Sequence, residues 1–358
     1  MKMTLNIFIV LALLLSSCDE KKEYPWIDSW DQNEEVPEQN EPEKPEPPVA
    51  SGDPETCGWT DVTSSYGTLP SYIRIFKSPA ELQGKKAVAY IAEADMSEAQ
   101  WDVWSVRTTG GSSLTEETAD SFKTPGEVYD DSECPVVING GYFYYSGASR
   151  YTSSLAVSKS EVLAYNITYA SEDWVTVYYP TRAAFLECTD GSFDACWTYV
   201  LWNLDHYMYP APADNSWASS PKAVPSAEYP EGAETFAAKT GIGGGPVLIN
   251  DGKFTDSYVQ ELFDGASGIG PDSNQPRTAI GATADGRLIF FVCEGREMTP
   301  DVKGLTTADV ARVLLQLGCV EAVNLDGGGS SCMLVNGKET IAVSDGSQRA
   351  VASAIMLK

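Results

Sequence analysis

The sequence predicts an α+β fold: mixed, mostly antiparallel sheet with packed helices, in one large domain behind a disordered acidic tether. Three observations lead there. Short apolar runs bounded by turn residues recur from Val136 onward, which is the pattern of many short strands. One stretch, Leu305 to Gly318, instead has helical spacing with a start and a stop signal. Glycine-rich polar clusters stand where the apolar runs end, and no second low-complexity linker divides the roughly 300 residues that follow the tether.

The chain begins with a leader. Lys2 precedes an apolar run from Ile7 to Leu15 that is too short to span a membrane. Charge, apolar core and small residues over 1–17 make a secretory signal peptide. Leu15-Ser16-Ser17-Cys18 resembles a bacterial lipobox, so Cys18 is the expected lipidated residue. Residues 18–55 form the tether: Glu41-Pro42-Glu43-Lys44-Pro45-Glu46-Pro47-Pro48 cannot build a core. From Asp19 to Glu55 there are thirteen acidic residues against three lysines, in a chain of net charge −27. A nucleic-acid partner is excluded, because a phosphate backbone needs neutralising Lys and Arg. The expected place is the bacterial cell envelope, lipid-anchored at the outer membrane and surface-exposed, with the anchor as the only membrane contact.

The domain, residues 56–358, follows element by element. Val136-Val137-Ile138 is a short buried strand leading to Asn139-Gly140-Gly141-Tyr142-Phe143. Between Thr189 and Ala233, Trp, Tyr, Pro and Ala alternate without period, which predicts a long loop or insertion over a site. Pro246 to Ile249 turns through Asn250-Asp251-Gly252 into Lys253-Phe254 as a hairpin. Thr278 to Ala282 turns through Asp285-Gly286 into Arg287 to Val292 as another, and Met333-Leu334-Val335 turns at Asn336-Gly337 as a third. The helix has Thr306 as N-cap, Asp309 as its capping-box partner, and Leu305 with Val310 as a hydrophobic staple. Val310, Val313, Leu314 and Leu317 give it one buried face, and Gly318 stops it. Ala322 to Leu325 is the next strand, with Asp326 at its carboxyl end, and Ala350 to Leu357 is the last strand.

Seven cysteines follow Cys18: Cys57, Cys134, Cys188, Cys196, Cys293, Cys319 and Cys332. An exported chain permits disulfides, and Cys188 with Cys196, bracketing a turn, is the expected pair. Cys293 and Cys319 read as buried small hydrophobes. There is no C-x-x-C to suggest zinc or redox chemistry. The single histidine, His206, lies in the irregular segment, and no G-x-S-x-G is present to give it a nucleophile.

The polar clusters remain. Asn139-Gly140-Gly141, Gly243-Gly244-Gly245, Arg277-Thr278, Glu294-Gly295-Arg296, Asp326-Gly327-Gly328-Gly329-Ser330-Ser331 and Asp345 to Arg349 each border an apolar run. Each alone reads equally well as a turn. Together they bring carboxylates, arginines and N–H groups to one place if their strands share a sheet edge. Glycine without a Cβ lets a backbone approach a ligand closely.

Asn139 to Phe143, Gly243 to Pro246, Arg277 to Gly281, Glu294 to Arg296, Gly304-Leu305-Thr306 and Asn324 to Ser331, in this order within Val136 to Lys358, resemble the phosphodiester glycosidase domain family, which occurs in bacterial surface and spore proteins and in the lysosomal uncovering enzyme that acts on N-acetylglucosamine phosphodiesters. Two departures stand out: Glu294 where Asp is common, and Val343 where proline is usual. The resemblance implies hydrolysis of a sugar-1-phosphodiester at the glycosyl C1–O bond, through an oxocarbenium-like transition state. A phosphate monoester leaves, with a second pKa near 6, so strong acid assistance is not required. Asp326 and Glu294 are the implied catalytic carboxylates. Arg277 and Arg349 are expected around the phosphate, with Arg296, Thr278, Gly140, Gly141 and N–H nests at Gly243-Gly244-Gly245 or Gly327-Gly328-Gly329. Asn139 and Ser330 are expected on sugar hydroxyls; Tyr142 and Phe143 either stack on the ring or belong to the core. No cofactor is expected; a calcium ion at Asp326 or Asp345 is the minor alternative, since calcium wants several oxygens. The competing class is a surface module that binds glycan without cleaving it.

Overall fold

The computed structural model describes residues 52–107, 122–146 and 149–358. The leader, Cys18 and nearly all of the tether lie outside the described residues.

Three large sheets share one core. The first has eight strands in the order Thr60–Asp61, Ile73–Lys77, Ala89–Asp95, Arg287–Cys293, Arg277–Thr283, Cys319–Asn324, Val247–Asn250, Lys253–Phe254. The second has seven, from Glu161–Ala164 through Thr240–Gly243 and Arg182–Glu187 to Glu234–Thr235. The third has five, with Val136–Asn139 between Met333–Val335 and Ser353–Leu357. Ile280, Phe290 and Val323 of the first sheet meet Phe185, Trp197 and Ile242 of the second and Val103, Ile138 and Ile355 of the third. Alternate residues of the first sheet, Ala279, Ile289 and Phe291, face the other way. There they meet Val310, Val313 and Leu314 of a helix, Thr307–Gln316. The central strands are thus buried on both faces.

The helix starts as its sequence dictates. Thr306 accepts from the Asp309 N–H, and the Asp309 carboxylate accepts from the Thr306 N–H, so the capping box is complete. Leu305 and Val310 are both buried, and Gly318 takes a φ of 84° that favours glycine. The three hairpins form as read, at 247–254, 277–293 and 333–339.

Three expectations need correction. The fold is mostly β: the described residues hold only two α-helices, Pro125–Ser132 and Thr307–Gln316. The described ladders are antiparallel, closed by tight turns or looped connections, and antiparallel pairs need no helical crossover. The segment from Thr189 to Ala233 is not one loop. Phe193–Val200 pairs with Arg182–Glu187 and with His206–Tyr209, and it has no visible period because most of it is buried on both faces. Cys188 and Cys196 are free thiols. Register explains this: Ala184 stands opposite Cys196, and the Cys188 N–H donates to Ser192, four positions away. At about 3.3 Å per residue that is beyond disulfide reach. Cys293 and Cys319 are buried, as expected of small hydrophobes.

Candidate active site

Asp326 lies two residues past the end of Cys319–Asn324, and its main chain is held from behind. Its N–H donates to Gly140 O (3.1 Å), and its carbonyl accepts from Asn139 Nδ2 (2.6 Å). Asn139 is fully buried; its Oδ1 accepts from Thr278 Oγ1 (2.8 Å) and the Cys332 N–H (3.1 Å). Asn139 and Thr278 therefore fix the position of Asp326 and do not present themselves to a sugar. The shared edge expected for the clusters is instead a junction: strand ends at Asn139, Gly243 and Asn324 come from three different sheets.

Glycine is demanded here by packing. A Cβ on Gly140 would strike Ser353, and one on Gly141 would strike Gly243 and Ser154. Gly244 and Gly245 have no N–H free for an anion: these donate to Ala183 O (3.3 Å) and Asn324 O (2.7 Å). The expected nest at 243–245 is thus a sheet junction. Asn324 Nδ2 ties it to Tyr142 Oη (2.9 Å), which donates to Gly245 O (2.6 Å).

Asp326 opens onto a cavity of about 280 Å³. Arg277, Arg296, Arg349, Gln275, Gly327 to Gly329, Tyr142, Phe143 and part of the loop 267–273 line it, and Asp326 is the one carboxylate among the lining residues. Burial pushes that carboxyl up to about 6, against the opposing pull of a Ser330 hydrogen bond and the Arg349 charge. Gly328 has a φ of 59°, and a Cβ there would meet the Arg296 guanidinium; one on Gly329 would meet Arg349 and Asp345. The glycines admit two arginines against the backbone beside the carboxylate.

The three arginines differ. Arg349 donates to Asp345 Oδ2 through Nε (2.9 Å) and Nη2 (2.5 Å), and through Nη1 to Ser330 Oγ (3.2 Å). Ser330 is buried and serves Arg349 and Asp326, so it is a positioning group. Arg296 donates to Gln275 Oε1 (3.1 Å), stands 3.7 Å from Asp345 Oδ1, and is nearly half exposed. Arg277 is buried, and its donors go to main-chain carbonyls: Leu305 (3.0 Å), Ile269 (3.1 Å), Gly270 (2.6 Å) and Ser273 (2.8 Å). It clamps the 269–273 loop and is not poised for the bidentate phosphate contact expected of it.

Glu294 does not line the cavity. It is buried, and its Oε1 accepts from the Ala342 N–H (3.0 Å). Asp345, the alternative calcium ligand, spends its carboxylate on the two arginines, and no group of three or more metal-ligating side chains gathers among the described residues. His206 stacks on Phe236 at 4.0 Å, with its pKa driven down to about 3 by burial.

Two features were not legible in sequence. The loop 267–275 forms a cavity wall; its Gly268-Ile269-Gly270-Pro271 was one more glycine cluster, without an apolar strand to flag it. A second cavity of about 350 Å³ adjoins the first across Tyr142, Phe143, Ser267 and Ile269, with Arg182 in its wall. Arg182 opens the strand Arg182–Glu187, where its position before a short buried run gives no pattern.

A carboxylate with a raised pKa, two arginines and a glycine-rich turn at the junction of antiparallel sheets make a site fitted to an anionic, oxygen-rich ligand. Residues 215–358 match the model of the phosphodiester glycosidase family, about two fifths of the chain. The match begins after Asn139, so the Asn139 to Phe143 motif joins the site through the fold. An N-acetylglucosamine-1-phosphodiester alpha-N-acetylglucosaminidase from Homo sapiens is 33% identical over 97 residues, which are 27% of this chain and 18% of that protein. The SPbeta prophage-derived protein YomE of Bacillus subtilis is 40% identical over 82 residues, 23% of this chain and 12% of that protein. The chain thus spans less than a fifth of the length of these curated relatives. Among solved structures, the zebrafish N-acetylglucosamine-1-phosphodiester alpha-N-acetylglucosaminidase catalytic domain has a TM-score of 0.51 at 19% identity, covering 83% of this chain and 87% of that one. A Synechocystis protein has a TM-score of 0.51 at 16% identity, covering 84% and 67%. Both have this fold.

Proposed function

We propose that the protein hydrolyses a sugar-1-phosphodiester of an extracellular glycan or polymer, breaking the glycosyl C1–O bond and releasing a phosphate monoester. The observation that carries this reading is a single carboxylate, Asp326, facing Arg349 and Arg296 across one cavity. Above pH 6 Asp326 is ionised and meets positive charge developing at C1, either by bonding to it or by activating water. The arginines stabilise the departing phosphate, each already oriented by Asp345. Asp345 also offsets part of their charge, so the phosphate meets a positioned pair with moderated net charge. With Glu294 outside the lining, Asp326 acts without the second carboxylate of ordinary glycosidases, in keeping with a leaving group that needs little protonation. N-acetylglucosamine, which the human and zebrafish relatives carry in their names, is the first sugar to offer.

Hydrolysis in oxygen-labelled water tests the bond broken. Label in the released sugar supports C1–O cleavage; label in the phosphate monoester contradicts it. We further propose that Cys18 anchors the chain in the cell envelope after removal of residues 1–17. Cys18→Ser should release the protein from membranes into the soluble fraction, and retention on membranes contradicts the anchor.

A further inference from the structure

We propose that the aromatic cavity beside the arginine-lined one is a second sugar subsite, and that Arg182 makes it selective for a carboxylate-bearing sugar. The inference takes from the proposed function only that the ligand is a glycan; the binding it describes needs no turnover.

Arg182 is 6% exposed, and its guanidinium lies 4.3 Å over the Phe263 ring in the cavity wall. Its hydrogen bonds end at one main-chain carbonyl, that of Glu261, and its Nε has no partner. The buried Glu261 carboxylate acts on this charge only from a distance, and no direct ion pair joins the two. Its oxygens are taken by the N–H groups of Ala183 (2.8 Å) and Val247 (2.9 Å), by Trp197 Nε1 (3.1 Å) and by Ser257 Oγ (2.6 Å). A buried cation with no direct ion pair keeps part of its desolvation cost, and an anion entering the cavity relieves it. The other charged group in the lining, Glu172, is exposed and lies against Gly265, where solvent screens its repulsion.

The walls suit a pyranose. Tyr142, Tyr144, Tyr169, Trp217 and Phe263 line the cavity, and Trp174 stands in its wall, 88% exposed. Trp174 is held out by its turn: the Asp173 carboxylate accepts from the Val175 N–H (2.8 Å), the Thr176 N–H (2.6 Å) and Thr176 Oγ1 (2.8 Å). An exposed, fixed aromatic ring presents a stacking platform at low entropic cost. Tyr142 and Phe143 line both cavities, so a sugar here neighbours the unit at Asp326.

Calorimetric titration with methyl glucuronoside, methyl glucoside and inorganic phosphate tests the proposal. The wild type should bind the glucuronoside about tenfold or more tightly than the glucoside, the scale of one charge-assisted hydrogen bond. Arg182→Gln should bring the two sugars to parity, with folding checked by circular dichroism. Trp174→Ala, at an exposed position, should weaken both sugars in proportion and leave their ratio intact. Equal binding in the wild type, a preference that survives Arg182→Gln, or phosphate displacing the glucuronoside with equal affinity overturns the proposal. Should Arg182→Gln fail to fold, the wild-type ratio and Trp174→Ala still decide it. Loss of hydrolysis in Asp326→Asn with this binding unchanged separates the subsite from the catalytic reading.

Discussion

Asp326 concentrates the site's conflict between chemistry and stability. Its carboxyl is pushed from 3.8 to about 6 by burial, so the folded state disfavours the charge that catalysis uses. A group with a raised folded pKa contributes most below its unfolded value, and that contribution is lost as pH rises through 6. Asp326→Asn should therefore raise the melting temperature at pH 8 while changing it little at pH 4. An equal change at both pH values would show that the carboxyl is not desolvated. The same ionisation sets activity: kcat/KM should fall as pH drops below about 6, and a profile flat down to pH 4.5 would remove Asp326 from the reaction. Arg349→Ala should raise KM about tenfold for phosphodiester sugars and spare neutral aryl glycosides, since one charge-assisted contact is lost. Equal effects on both substrates would make Arg349 structural.

At the scale of elements, the catalytic turn depends on neighbours that never touch substrate. Asn139→Ala would leave the Asp326 carbonyl and the Cys332 N–H without a partner in a buried place and the Thr278 hydroxyl with Ser331 alone, at a cost of about 3 kcal/mol. Urea denaturation should show that loss together with a fall in kcat; unchanged stability would contradict the bracing role. What could be read in sequence follows the same line. The helix at 307–316 was legible because its capping box and staple are local, and the hairpins because Asp285-Gly286 and Asn336-Gly337 act within four residues. Asp326 was legible as a strand end beside three glycines. Asn139 and Thr278 read as ligand groups because their partners lie far along the chain, at Asp326 and Cys332 for Asn139 and at Asn139 for Thr278; Arg277 reads so because main-chain carbonyls at 269–273 and Leu305 carry no sequence signal. Sequence shows a donor; only the fold shows where its hydrogen is spent.

At the scale of the molecule, one core serves three sheets, with Ile280, Phe185 and Ile355 in a single cluster. The site lies where strands from all three end, so it forms only when they assemble. Thermal unfolding should then follow one cooperative transition by both circular dichroism and activity. Early loss of activity with the sheets intact would place the site on a separately melting part.

The central claim is that Asp326 and its arginines cleave a phosphodiester-linked sugar. Its most direct test is turnover of an N-acetylglucosamine-1-phosphodiester and of the matching neutral aryl glycoside, by the wild type and by Asp326→Asn. Phosphodiester cleavage by the wild type alone, with little or none of the neutral glycoside, is the predicted result. Cleavage that persists in Asp326→Asn would contradict it, as would preference for the neutral glycoside.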